Sequence, residues 1–93
     1  MVTMFQGEKS WHCRLPNKTW ELFKTNNAKV TPKYVASHFL GWNHTPTEGL
    51  HTVYVKDLAE QITYEVVLRQ HYEIANGTTR GRRETVSVRE IEV

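Results

Sequence analysis

The residues with most scope for chemistry are one cysteine, Cys13, five histidines, and a cluster of arginines behind an Asn-Gly turn. A thiolate paired with an imidazole is the nucleophile of cysteine enzymes. Cys13 follows His12 directly, but adjacent strand residues point to opposite faces, so these two cannot form a dyad. Cys13 also shares an apolar stripe with Trp11 and Leu15, where a thiol behaves as a small hydrophobe and stays protonated. A second histidine would have to reach it, and the sequence selects none. There is no glycine-rich phosphate loop, no nucleophile elbow and no carboxylate pair singled out by context. An enzyme built on Cys13 and a histidine is therefore the least supported reading, and no catalytic residue is assigned.

Metal chemistry has equally little to stand on. His38, His44 and His51 follow at spacings of six and seven, which match no zinc signature, and a single cysteine excludes thiolate-rich sites. No metal site and no cofactor is expected.

The stretch "ANGTTRGRR" at 75–83 is the strongest candidate for binding. Asn-Gly is a hairpin turn signal, and arginines just beyond it would sit at the end of a protruding ribbon. Arginine forks onto phosphate oxygens, aromatic rings stack on bases, and a two-stranded ribbon fits a major groove. Arg69, Tyr72, Arg80, Arg82 and Arg83 are the residues expected to meet an anionic partner such as DNA or RNA. The plainer reading is a solvated hairpin end whose charges block edge-to-edge pairing. An alternative site is a small-ligand pocket between a helix and the sheet, lined by Tyr34, His38 and Trp42 with His44 at its rim. Core packing accounts for the same residues.

Charge leans the same way. The chain is only +2 overall, yet residues 9–33 carry Lys9, Arg14, Lys18, Lys24, Lys29 and Lys33 against Glu21 alone. A segment at +5 beside an arginine-rich tip points weakly to a polyanion.

These residues must be positioned by a single domain spanning 1–93, since a chain of this length has one modest core. With 39% apolar and 24% charged residues it is expected to fold. One cysteine, no basic-then-apolar leader, and no aliphatic run longer than Val66-Val67-Leu68 suggest an intracellular, cytoplasmic protein that engages no membrane. The sequons at Asn17, Asn43 and Asn76 read as turn chemistry.

Along the chain, "VTMF" at 2–5 suggests a first short strand. "WHCRL" and "TWELFK" around "PNK" suggest a hairpin over 11–24, with Trp11, Cys13, Leu15, Trp20 and Leu22 facing the core and Phe23 left outside. Thr31-Pro32 is an N-cap followed by proline in the first turn, so a helix begins there, with Tyr34, Val35, His38, Phe39 and Trp42 along its apolar face. "HTVYVK" predicts a strand and "DLAE" a turn. The alternation in "ITYEVVLRQHYEI" predicts a long strand with Ile62, Tyr64, Val66, Leu68, Tyr72 and Ile74 on one face. "ETVSVREIEV" completes the hairpin, its two apolar phases reconciled by a bulge near Arg89-Glu90. A three-residue loop, Ala75-Asn76-Gly77, pairs Val66 with Val86 and Tyr64 with Val88, and sets Arg83 across from Arg69.

The expected fold is α+β: an antiparallel, strongly bent sheet of five or six strands, in the order β-β-β-α-β-β-β, packed against one short helix. One helix cannot cover such a sheet, so exposed Phe23, Val67, Ile91 and Val93 imply a homodimer. The expected function is a non-enzymatic binding module.

Overall fold

The computed structural model describes residues 8–27 and 29–92. The expected strand at 2–5 and the apolar Val93 lie outside them. Within them the protein is α+β, in the order β1 (Lys9–Arg14), β2 (Glu21–Thr25), α1 (Pro32–Asn43), β3 (Gly49–Asp57), β4 (Ile62–Ala75) and β5 (Thr78–Ile91). All five strands join one antiparallel sheet in the order β2-β1-β3-β4-β5. Among the described residues the sheet is neither closed nor strongly curled, with β2 and β5 at its two ends, and the molecule extends 50 × 36 × 21 Å.

The helix starts where the sequence predicts. The Thr31 hydroxyl accepts a hydrogen bond from the Tyr34 amide at 3.4 Å, and Pro32 occupies the first turn, where a missing N–H costs nothing. Its buried stripe is Val35, Ala36, Phe39 and Leu40, packed over the sheet with Trp11, Cys13, Val53, Val55, Val66 and Leu68. This rotates the expected face by about one residue. The row Tyr34, His38, Trp42 instead looks past the core toward the β2 edge, where Trp42 lies 5.8 Å from Phe23.

The first hairpin has a different register from the expected one. Its loop is six residues long, with Asn17 left-handed at φ 65° and the Lys18 amide bonded to the Leu15 carbonyl. Cys13 thereby pairs with Glu21 and Trp11 with Phe23. Since face alternates along a strand, this register buries Phe23 and turns Leu22 outward at 59% exposure, the reverse of the sequence expectation. Trp20 falls in the loop.

The long hairpin closes with a two-residue turn. Ala75 pairs with Thr78, and Asn76 and Gly77 take φ of 54° and 76°, the geometry Asn-Gly favours because its twist matches the strands. A bulge then falls at Val86: Leu68 pairs with Thr85 but Val67 with Ser87. The expected three-residue loop and the bulge at Arg89-Glu90 are both replaced by this combination, which brings Val66 opposite Val88. It also sets Arg83 opposite Gln70, and Glu84, not Arg83, opposite Arg69. No helix among the described residues is long and apolar enough to cross a membrane.

Candidate nucleic-acid interface

The helix covers one face of the sheet, and among the described residues no element packs on the other, the open face. Alternation within the observed registers assigns the open face: His12 and Arg14 from β1, Leu22 and Lys24 from β2, Thr52, Tyr54 and Lys56 from β3, and Glu65, Val67, Arg69, His71 and Glu73 from β4. Arg80, Arg82, Glu84, Ser87 and Arg89 of β5 complete it. The strands give this face seven cations (Arg14, Lys24, Lys56, Arg69, Arg80, Arg82 and Arg89) against three carboxylates (Glu65, Glu73 and Glu84), a net +4 where the whole chain is +2.

The two ends of the face differ. Toward the hairpin, each carboxylate has an arginine: Arg89 donates to Glu65 at 2.7 Å, Arg69 lies 3.8 Å from Glu84, and Arg82 lies 4.0 Å from Glu73. The Arg89 bond holds the Glu65 carboxyl below its usual range. His71 also approaches Glu84, at 3.4 Å. Among the described residues, Arg14, Lys24, Lys56 and Arg80 have no carboxylate within salt-bridge distance. Three of these four sit on β1, β2 and β3.

Aromatic rings flank one of these cations, Arg14. The Arg14 guanidinium lies 4.5 Å from the centre of the Tyr54 ring and 5.0 Å from that of Trp20, and His12 is 6.3 Å from Trp20. The registers Arg14 to Tyr54 and His12 to Lys56 bring these side chains together. Contact with two rings restrains the guanidinium without consuming its N–H donors. Its one protein hydrogen bond is a long one, from Nη1 to the Leu15 carbonyl at 3.4 Å. The cluster His12, Arg14, Trp20, Tyr54, Lys56 was not singled out in the sequence. The signal that could have found it is the alternation in "WHCR" joined to that in "TVYVK".

The residues expected to bind anions divide. Arg69, Arg80 and Arg82 share the open face. Arg83 does not: it lies on the helix side, its Nε donating to Gln70 Oε1 at 2.7 Å and its Nη1 to the Ser37 carbonyl at 3.0 Å. Tyr72 is also on the helix side, its hydroxyl donating to the Pro46 carbonyl at 2.5 Å. The basic segment divides similarly. Arg14 and Lys24 belong to the open face, whereas Lys9 is on the helix side, paired with Asp57 at 2.7 Å.

Of the four pocket residues, the structure brings together three. The His38 ring stacks on Tyr34 at 4.0 Å, and Trp42 meets His38 edge-on at 5.2 Å. His44 packs instead against Phe39, at 5.2 Å, and His51 bonds the Thr47 carbonyl. Cys13 is fully buried, and burial, with Glu21 nearby, pushes its thiol up to about 12. It is not an available nucleophile at neutral pH. Compared with known protein families, curated proteins and solved structures, the chain matches none.

Proposed function

We propose that this protein is a non-enzymatic module that binds nucleic acid through the open face of its sheet. The observation that carries the proposal is the cluster on β1 and β3: Arg14 against the Trp20 and Tyr54 rings, with Lys56 opposite His12 and Lys24 further along the same face opposite Ser10, and among the described residues no carboxylate within salt-bridge distance of any of these cations. Phosphates are met by unneutralised cations with free N–H donors, and bases by rings that accept stacking without regard to sequence. Arg80, Arg82 and Arg69 extend the same positive face along the hairpin. The anchor of this reading is the sheet surface, with the hairpin tip as its extension.

The test is an anisotropy titration of labelled oligonucleotides at several salt concentrations, using the intact protein and the triple variant Arg14→Ala/Lys24→Ala/Lys56→Ala. Affinity is expected to fall linearly on a log–log plot against salt, and the variant to lose about 2 to 3 from that slope if each cation meets one phosphate. Binding that ignores salt contradicts the proposal. Self-association belongs to it as well: Val86 and Val88 are exposed on β5, and sedimentation velocity is expected to give a dimer.

A further inference from the structure

Around the β2 edge from the nucleic-acid face, and sharing Lys24 with it, we propose a binding site for a small planar aromatic anion, in the groove between α1 and the β2 edge. The groove encloses about 190 Å³ and is lined by Phe23, Val30, Tyr34, His38 and Trp42, with Lys24 and Thr25 of β2 and the Asn26 and Asn27 side of the following loop at its edge. A cavity of about 150 Å³ takes benzene, so one aromatic ring or a small fused pair fits this volume.

Shape comes from an aromatic row. Tyr34, His38 and Trp42 recur every fourth residue and therefore line one side of the helix. Their rings are already in mutual contact, and Phe23 meets Trp42 at 5.8 Å from across the groove. Trp42 is nonetheless 73% exposed. Leaving an indole in water forgoes the stabilisation that burying a large apolar side chain contributes. A ring seated beside Trp42 and Phe23 recovers part of it.

Charge decides which aromatic. Every wall of the groove comes from residues 23–42, a stretch containing Lys24, Lys29 and Lys33 and no carboxylate. The nearest acids in sequence are Glu21 and Glu48, and across the β1–β2 pairing Glu8 precedes Lys9, the partner of Thr25, so three lysines stand against one carboxylate at this end. The field over the mouth thus favours an anion. Polar groups for orientation are present too. The Tyr34 carbonyl can only accept, so its 3.1 Å contact assigns the proton to His38 Nδ1 and leaves Nε2 as an acceptor in the neutral ring. Asn27 Oδ1 accepts from the Lys29 amide at 2.8 Å, which leaves its NH₂ as a donor.

The experiment is an amide-resolved NMR titration with indole-3-acetate, beside indole (ring without charge) and acetate (charge without ring). The expected result is saturable shifts confined to residues 23–42 with indole-3-acetate, a Kd below about 1 mM, and at least tenfold weaker binding of either control. Trp42→Ala, at an exposed position, is expected to weaken binding about tenfold, and Trp42→Phe to retain most of it. No saturation by indole-3-acetate overturns the proposal, as do indole binding equally well, shifts centred on the open face, or an unchanged affinity in Trp42→Ala. Shifts in 23–42 that depend on protein concentration without ligand also overturn it, because a second copy then occupies the groove.

Discussion

Arg83 donates from Nη1 to the main-chain oxygen of Ser37, 3.0 Å away, and so fastens the outermost strand of the long hairpin to the middle of the helix. Its Nε meanwhile bonds Gln70 Oε1 at 2.7 Å, and Gln70 is only 2% exposed. Removing the guanidinium strands a buried acceptor on Gln70, while the Ser37 carbonyl keeps its place in the helix ladder. Arg83→Ala is expected to cost about 2 kcal/mol in denaturant unfolding, from lost charge-assisted bonds, while leaving nucleic-acid affinity within about twofold of the intact protein.

Gly41 lies under the same guanidinium. A Cβ there would stand 3.0 Å from both Nη atoms of Arg83. Alanine is worth about 1 kcal/mol over glycine in a helix interior, but here it must displace the arginine. Gly41→Ala is therefore expected to destabilise the intact protein and to stabilise the Arg83→Ala background. A double-mutant cycle reads the reversal of sign, and the same effect in both backgrounds argues against the contact.

Cys13 makes stability depend on pH in the alkaline range. Its thiol is raised from 9.0 to about 12 by burial and Glu21. Between those values the unfolded chain has lost the proton and the folded one keeps it, so stability is full below about pH 9 and falls as pH rises. The slope is about 1.4 kcal/mol per pH unit for this one proton. The measurement is the difference from Cys13→Ala, whose stability is expected to decline less steeply above pH 9. Parallel curves would show that the thiol does not contribute.

Asp57 combines an ion pair with a turn. It bonds Lys9 at 2.7 Å and accepts from the amides of Ala59 and Glu60 at 3.0 and 3.1 Å. Asp57→Ala leaves Lys9 without its partner and two amides without acceptors, at an expected cost of about 3 kcal/mol. Asp57→Asn retains an acceptor for the amides and is expected to cost less. Urea unfolding of the two variants orders them.

Much of this fold was legible in the sequence because its strongest signals are local. The long alternation of β4, the Thr31-Pro32 helix start and the chain reversal at Asn76-Gly77, though not its loop length, each concern neighbouring residues and were found in place. What was missed depended on lengths that composition does not specify. A six-residue loop instead of a tight turn reverses which of Leu22 and Phe23 is buried. A bulge at Val86 lets a two-residue turn coexist with Val88 opposite Val66. The candidate site suffered for the same reason: shifting the hairpin register carries Arg83 to the helix side. Adjacent arginines in the sequence thus mark one open face less well than His12, Arg14, Tyr54 and Lys56, which are distant in the chain and meet only once β1 pairs with β3.

The most direct test of the nucleic-acid proposal compares two variants that each remove two positive charges from the same face. Arg14→Ala/Lys56→Ala strips the aromatic-flanked cluster, and Arg80→Ala/Arg82→Ala strips the hairpin tip. Anisotropy titration of one labelled oligonucleotide at fixed low salt, with folding of both variants verified by circular dichroism, separates location from net charge. The account predicts that the cluster variant loses about tenfold or more in affinity and the tip variant several-fold less. Loss of binding in the tip variant with full retention in the cluster variant, or no binding by the intact protein, contradicts it.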